Sequence, residues 1–205
     1  MELGSAGQWG IGDWHSRLGA LKALGVLMLA MIAVHVVNAL ILGHAWDRYG
    51  ILPASADGLW PGVVSAPLLH VSNLHLANNL MVLAVLGGMA ALVAGNARFI
   101  AATVFIAIIG GACTWLIARS GSHIGASGLV FGYFGFLVGQ GLFRQSLVSL
   151  VIAGVVTFLY GANIFFGIFF PKGCTSWEGH LAGALAGLAY ARLELFFVGR
   201  RGSHR

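Results

Sequence analysis

Six apolar runs constrain this chain more than any other feature of its sequence. They occupy residues 23–43, 74–94, 99–118, 124–143, 147–170 and 179–198. A helix needs roughly 20 predominantly apolar residues to cross a hydrocarbon core of about 30 Å. Charged residues make up only 8% of the chain, whereas they make up about 25% of an average globular protein. We therefore predict an all-α membrane protein, a bundle of six transmembrane helices in one domain.

The polar segments divide the chain into three parts. Residues 1–22 precede the first run, residues 23–198 hold the six spans, and residues 199–205 form a basic tail. The first run is longer than the core of a signal peptide, so we expect it to be retained. The loop of residues 44–73 is long enough to carry structure of its own. We expect it to be an irregular outer loop with short helices at the membrane interface.

Lysine and arginine residues predict the orientation, because positive residues near span ends are kept on the cytoplasmic side. One set of loops holds Arg17, Lys22, Arg98, Arg144, Arg200, Arg201 and Arg205. The opposite set holds only Arg48, Arg119 and Lys172. We therefore expect a multi-pass protein with both termini in the cytoplasm, in the inner membrane of a bacterium and in contact with its lipid. The basic residues are scattered over the loops, which excludes a nucleic-acid surface of clustered charges and stacking rings.

Polar residues inside the predicted spans gather at one depth. Spans two, four and six all run inward from the outer face, and each has polar side chains in its first turn. These residues are His75, Asn78, Asn79, Ser127 and His180. Polar and ionisable groups inside a membrane are costly and usually functional. The three spans therefore predict a shared cavity within about 10 Å of the outer surface, at a rise of about 1.5 Å per residue.

A serine and a histidine in such a cavity favour nucleophilic catalysis. A hydroxyl becomes a useful nucleophile when a neighbouring imidazole accepts its proton. Ser127 is the candidate nucleophile and His180 the candidate base. Gly179, Gly183 and Gly187 stand at four-residue spacing on span six, and such a face of small residues allows span four to approach closely.

The remaining polar residues can serve the oxyanion of an acyl-transfer reaction. The backbone N–H of Ser127 is one candidate donor, and His75 and Asn79, which share a helix face, are the others. Asn78 points about 100° away from Asn79 on a helix and is the weaker candidate. Glu178 is close in sequence to His180, but we expect it to face water. The pattern therefore predicts a Ser/His dyad rather than a triad.

Taken together, three separated motifs make the chain similar to the rhomboid intramembrane serine proteases. The motifs are "HVSNLHLANN" at 70–79, "GASG" at 125–128 and "GHLAGALAG" at 179–187. The resemblance covers all six predicted spans. It implies that Ser127 is the nucleophile and His180 the general base, with His75 and Asn79 assisting the Ser127 backbone at the oxyanion. It also implies structural roles for His70, Gly125, Gly128, Gly183 and Gly187.

Two positions depart from the family pattern. Many members have Trp-Arg in the first outer loop, but here Trp60 is followed by Pro61. Many members also have a tyrosine four residues after the serine, stacked on the catalytic histidine. This chain has Phe131 there, which keeps the ring and lacks the hydroxyl. The expected partners are transmembrane protein substrates, and no cofactor is expected; neither the substrate nor the oligomeric state can be read from the sequence.

The sequence leaves three alternative functions to consider. A catalytically inactive relative that binds membrane helices is the main alternative. A transporter is disfavoured because internal repeats and charges at the midplane are missing. A metal site of His70, His75 and His180 is disfavoured because the H-E-x-x-H pattern is missing.

We expect His35 and Asn38 to be structural, and Cys113 to be a free, packed thiol that is not bridged to Cys174.

Overall fold

The computed structural model describes residues 11–144, 146–171, 173 and 175–202, and within them the chain is helical apart from loops and one isolated β-bridge. Helix α1 spans Ile11–Val36 and continues as a π-helical turn, Val37–Ile41. The loop that follows holds the 3₁₀ helices Ala45–Tyr49 and Ala66–Leu68 and the short helices α2 (Ala56–Leu59) and α3 (Gly62–Ser65).

The rest of the described chain forms the main bundle. Its helices are α4 (Asn73–Ala94), α5 (Asn96–Phe105), a π-helical turn (Ile106–Gly110), α6 (Gly111–Ile117), α7 (Ser127–Arg144), α8 (Leu147–Phe169) and α9 (Trp177–Gly202). Helix α5, the π-helical turn and α6 follow one another without a break, so together they correspond to the third predicted span. The predicted all-helical class is confirmed for the described residues.

Four of the described helices are long and apolar enough to cross a membrane. They are Trp14–Ile41, Asn73–Ala94, Asn96–Ile117 and Leu147–Phe169. Helices α7 and α9 correspond to the predicted spans four and six and are less apolar. Helix α7 contains several glycines and Gln140, and α9 contains Glu178 and Glu194, all three of these polar side chains being buried. Such side chains are acceptable in a helix that other helices surround.

Two helices begin at positions that differ from the predicted spans. Helix α1 begins at Ile11 rather than at residue 23, and Ser16 in its early turns accepts a hydrogen bond from the backbone N–H of Asn96 at 2.9 Å. Helix α7 begins at Ser127 rather than at residue 124. Gly125 has a φ of 125°, which an α-helix cannot contain. The residues before Ser127 therefore form a turn, and the serine is the first residue of its helix.

Helix α7 lies at the centre of the bundle. Its side chains Tyr133, Phe136 and Leu137 are completely buried and belong to one hydrophobic core, which also includes Leu83 of α4. The hydroxyl of Tyr133 is paired with the hydroxyl of Thr103 at 2.7 Å, as buried polar groups require. The core thus fixes α7 against α4 and α5.

Helices α7 and α9 are in close backbone contact. A Cβ atom added to Gly183 would overlap the carbonyl of Gly128, and one added to Gly187 would overlap the carbonyl of Gly132. In the other direction, a Cβ atom on Gly135 would overlap the carbonyl of Ala184. Small residues on both helices therefore allow the two backbones to touch.

A buried carboxylate joins three helices at the opposite end of the bundle from the candidate site. Glu194 of α9 accepts a hydrogen bond from Gln140 of α7 at 3.0 Å and is paired with Arg98 of α5. Arg144 at the end of α7 lies 3.7 Å from the same carboxylate. A buried charge needs partners of this kind. The burial of Glu194 was not predicted from the sequence.

Polar residues of α1 and of the π-helical turn that follows it hold the outer loop. Asn38 donates to the carboxylate of Asp47 at 2.7 Å, and its side-chain oxygen accepts from the backbone N–H of Trp46 at 2.9 Å. His35 is bonded to the side chain of Asn73 at 2.8 Å and to the carbonyl of His70 at 3.2 Å. These contacts agree with structural roles for His35 and Asn38.

The prediction that Cys113 packs inside the bundle is wrong. Cys113 is a free thiol on an exposed face of α6. The neighbouring positions Gly111 and Thr114 are the ones that α6 turns inward, so the helical rotation places Cys113 outside. Cys174 lies outside the described residues.

Candidate active site

All five polar residues singled out in the sequence line one open cavity of about 910 Å³. Helix α4 contributes His75, Asn78 and Asn79, α7 contributes Ser127, and α9 contributes His180. The loop between α6 and α7 forms another wall of the cavity. The structure therefore brings the predicted site residues together from three helices that are far apart in sequence.

The turn before Ser127 is tightly held. The N–H of Gly125 donates to the carbonyl of Ala66 at 2.8 Å, and the N–H of Ala126 donates to Nε2 of His70 at 3.2 Å. A Cβ atom on Gly125 would lie 2.7 Å from the ring of His75, so only glycine fits there. The N–H of Ser127 belongs to the first turn of α7, where backbone donors have no partner within the helix. It is therefore available to an anion beside the serine.

The side chain of His70 is hydrogen-bonded to this turn. Its side chain is completely buried, and its burial, together with the nearby His75, lowers the pKa of His70 from 6.5 to about 4. The imidazole is therefore neutral at physiological pH and keeps the lone pair on Nε2 that accepts from Ala126. The position of His70 under the turn fits the structural role that the resemblance implies.

His180 is held in one orientation by two contacts. Its Nδ1 lies 2.9 Å from the carbonyl oxygen of Gly167, and its ring stacks on Phe131 with centroids 3.9 Å apart and planes 13° apart. A carbonyl can only accept a hydrogen bond, so Nδ1 carries the proton and Nε2 keeps its lone pair. Phe131 is one helical turn after Ser127 and shares its face of α7. The stacking therefore places His180 over the face that carries the serine.

Asn79 and Asn78 differ in their surroundings. Asn79 is buried and donates one amide hydrogen to the carbonyl of His75 at 2.9 Å, which leaves a second hydrogen for another acceptor. Asn78 is exposed. Because Asn79 lines the cavity with its amide fixed by this bond, it is the better placed of the two to donate to a bound group.

The prediction that Glu178 faces water is wrong. The side chain of Glu178 is completely buried. One of its carboxylate oxygens accepts hydrogen bonds from Nε of Arg119 at 2.7 Å and from the backbone N–H of Arg119 at 3.3 Å. Two residues along a helix correspond to a rotation of about 200°, so Glu178 and His180 point to different sides of α9. The carboxylate therefore holds the loop before α7 and does not pair with His180.

The same loop is attached to α9 by a second set of contacts. His123 bonds the hydroxyl of Ser176 through Nδ1 at 2.6 Å and the carbonyl of Arg119 through Nε2 at 2.8 Å. Ser176 in turn accepts from the N–H of Gly179 in the first turn of α9 at 3.2 Å. The backbones of His123 and Ile51 exchange two hydrogen bonds of 3.0 Å. The outer loop, the turn at the serine and the helix of the histidine thus form one connected unit.

We expect the Glu178→Ala variant to be destabilised by about 1–3 kcal/mol, because it removes a buried acceptor of several charged hydrogen bonds. Thermal unfolding in detergent measures the effect as a lower midpoint. Glu178→Gln keeps the volume and one acceptor oxygen and should lose less. An unchanged midpoint for Glu178→Ala would show that this ion pair contributes nothing to the fold.

The described residues contain no group of three His, Cys, Asp or Glu side chains that could hold a metal ion. The rings of His70 and His180 have separate partners, since Nε2 of His70 accepts from the N–H of Ala126 while Nδ1 of His180 contacts the carbonyl of Gly167.

Comparisons with known proteins agree with these features. The family model described as the Rhomboid domain matches residues 57–196. The chain is 44% identical over 181 residues to the uncharacterized protein Rv1337 of Mycobacterium tuberculosis (strain ATCC 25618 / H37Rv), covering 82% of this chain and 74% of that protein. It is 40% identical over 181 residues to the uncharacterized protein ML1171 of Mycobacterium leprae (strain TN), covering 82% and 70%.

A more distant relative carries a functional name. The chain is 33% identical over 95 residues to the "Putative rhomboid protease YdcA" of Bacillus subtilis (strain 168), covering 46% of this chain and 48% of that protein. The Rhomboid domain match alone includes all the candidate site residues and more than half of the chain. The chain therefore belongs to the rhomboid family.

Proposed function

We propose that this protein is an intramembrane serine endopeptidase that hydrolyses peptide bonds of transmembrane protein substrates near the outer face of the membrane. Ser127 is the nucleophile and His180 the general base. The observation that carries the proposal is the orientation of His180, whose Nδ1–H is bound to the carbonyl of Gly167 while its ring stacks on Phe131. This arrangement leaves Nε2 free to accept a proton over the face of α7 that begins with Ser127.

The reaction follows from these groups. Nε2 of His180 accepts the proton of the Ser127 hydroxyl as Oγ attacks the scissile carbonyl carbon. The N–H of Ser127, the amide of Asn79 and the imidazole of His75 donate to the oxyanion that forms. His180 then returns the proton to the leaving amine, and an acyl-enzyme remains on Ser127. A water molecule, deprotonated by His180, hydrolyses this ester and releases the second product.

The proposed topology has six spans with both termini in the cytoplasm. The less apolar helices α7 and α9 cross the membrane in the middle of the bundle, where protein surrounds their polar residues. Loops of residues 44–73, 118–126 and 170–176 then lie at the outer face, which places the open cavity there. A bacterial inner membrane fits the distribution of lysine and arginine residues.

The proposal is tested by labelling the purified protein in detergent with a fluorophosphonate probe. An activated serine reacts with this probe whatever the natural substrate, so we expect covalent labelling at Ser127, unchanged by chelators. Mass mapping of cuts in a panel of single-span proteins then identifies the substrate preference. A folded protein that neither labels nor cuts would favour the alternative of an inactive rhomboid relative that binds membrane helices, and loss of activity in a chelator would favour a metal enzyme.

We expect Asn79→Ala to lower kcat by about 10- to 1000-fold, because an oxyanion donor acts mainly in the transition state. KM should change less than kcat. Asn78→Ala is the matched control, since the neighbouring asparagine is exposed to the same cavity, and it should retain nearly full activity. Steady-state kinetics on one cleavable substrate make the comparison. A larger loss in Asn78→Ala would mean that the wrong asparagine has been assigned to the oxyanion.

A further inference from the structure

The carbonyl of Gly167 in α8 has no donor within its own helix. In an α-helix, a carbonyl accepts from the N–H four residues later. Residue 171 is Pro171, which has no N–H. The last helical bond here runs from Phe170 to Phe166, one residue earlier. The N–H groups of α8 therefore leave the carbonyl of Gly167 unbonded, and among the described residues it is the Nδ1–H of His180 that contacts this oxygen, at 2.9 Å.

Residue 167 also has no room for a side chain. A Cβ atom there would lie 2.7 Å from Cζ of Phe131 and 3.4 Å from Nδ1 of His180. The ring of Phe131 is stacked on His180 and cannot give way without disturbing that stack. Glycine at this position therefore brings the backbone of α8 within hydrogen-bond distance of the imidazole.

Helix α8 is the least buried of the four strongly apolar helices. It packs chiefly against α7, and much less against α9, the helix that carries His180. Its outward face carries exposed phenylalanines, among them Phe158, Phe165 and Phe166. A helix with few buried contacts is more easily displaced than the central helices of a bundle.

Resting on the proposed function, we propose that Gly167 is a positioning residue of the active site. The position of α8 then determines the orientation of the base, His180. The carbonyl of Gly167 fixes the tautomer and the ring orientation of His180, so that Nε2 keeps the lone pair that accepts the proton of Ser127. Displacement of α8 removes this acceptor and leaves the base without its orientation. A Ser/His dyad without a carboxylate then depends on a backbone carbonyl from a third helix for the function that a third side chain has in a triad.

The first test uses Gly167→Ala. We expect the rate of fluorophosphonate labelling and kcat for a transmembrane substrate to fall together, by about 10- to 100-fold, because small misplacements of a catalytic group are costly. The matched control is Gly154→Ala in the same helix, where an added Cβ atom meets nothing within 4 Å. If Gly167→Ala slows substrate cleavage but labels as fast as the unmodified protein, α8 affects substrate access and not the base, and the inference is wrong.

The second test adds no atoms and does not depend on whether Gly167→Ala folds. Replacing Ile168 by its α-hydroxy acid converts the 167–168 peptide bond into an ester, whose carbonyl is a weaker acceptor. We expect labelling to slow by about 3- to 10-fold, the effect of weakening one hydrogen bond. The same replacement at Val155 weakens the carbonyl of Gly154 and is the control. Equal labelling of the two ester variants would overturn the inference, whereas lack of labelling in the unmodified protein would instead overturn the proposed function.

Discussion

Ser127→Ala and His180→Ala are each expected to abolish cleavage of a transmembrane substrate, with kcat falling by about 10⁴-fold or more. The alanine in place of Ser127 leaves no oxygen to attack the scissile carbonyl. The alanine in place of His180 leaves no acceptor for the serine proton. Because the two groups act in one step, the double variant should be little worse than either single variant. Quantitative cleavage assays on the three purified proteins measure this non-additivity.

A matched control separates loss of the nucleophile from damage to the cavity. Ser120→Ala removes a hydroxyl from an exposed serine that lines the same cavity, and it should cleave normally. The thermal midpoint of Ser127→Ala should stay close to that of the unmodified protein, since only one atom at the cavity surface is lost. Substantial cleavage by purified Ser127→Ala would rule out this serine as the nucleophile.

The sequence was sufficient to predict the helical class and the set of residues that meet in the cavity. Apolar length predicted the helices, four of which are long and apolar enough to cross a membrane. Polar residues at one depth indicated that α4, α7 and α9 share a cavity. This worked because a polar side chain inside a membrane helix is too costly to be accidental. Ser127 and His180 are 53 residues apart, yet their depth alone was enough to suggest one site.

The contacts that orient the site could not be predicted in the same way. Glu178 was expected in water, but its carboxylate is bonded to Arg119, which lies in a different loop 59 residues away. The group that accepts the hydrogen bond of His180 is the backbone carbonyl of Gly167. Every residue has such a carbonyl, so the residue type does not reveal it. The two signals available were indirect, namely a glycine at 167 and a proline four residues later. Partners that are distant in the sequence, and contacts made by backbone groups, therefore cannot be predicted from residue type alone.

The first residue of α7 could not be predicted from hydropathy. Hydropathy placed the fourth span at residues 124–143, because Ile124 and Ala126 are apolar. The positive φ of Gly125 and the bond from Ala126 to His70 turn these residues out of the helix. The result is that Ser127 has the free backbone N–H of a helix start. Hydropathy indicates how apolar a segment is and how far it extends, and it carries no information about backbone dihedral angles.

Gly187→Ala is expected to lower the free energy of unfolding by about 3 kcal/mol or more, at the upper end of the usual cost of overpacking. An added Cβ atom would overlap the carbonyl of Gly132 and lie 2.9 Å from the backbone N of Phe136. Both are backbone atoms of α7, which cannot rotate away as a side chain can. Helix α9 must therefore shift outward along the whole contact, and His180, two turns earlier, moves with it. We expect cleavage to be lost together with stability.

Gly88→Ala is the matched control for this change. Gly88 lies in the interior of α4, and an added Cβ atom there meets nothing within 4 Å. Alanine is more favourable than glycine in a helix by about 1 kcal/mol, so Gly88→Ala should be neutral or slightly stabilising. The same chemical change thus has opposite expected signs at the two positions, because only one of them lies where two helix backbones touch. Chemical unfolding in detergent compares the two variants, and a Gly187→Ala protein as stable as Gly88→Ala would show that α7 and α9 are not in backbone contact.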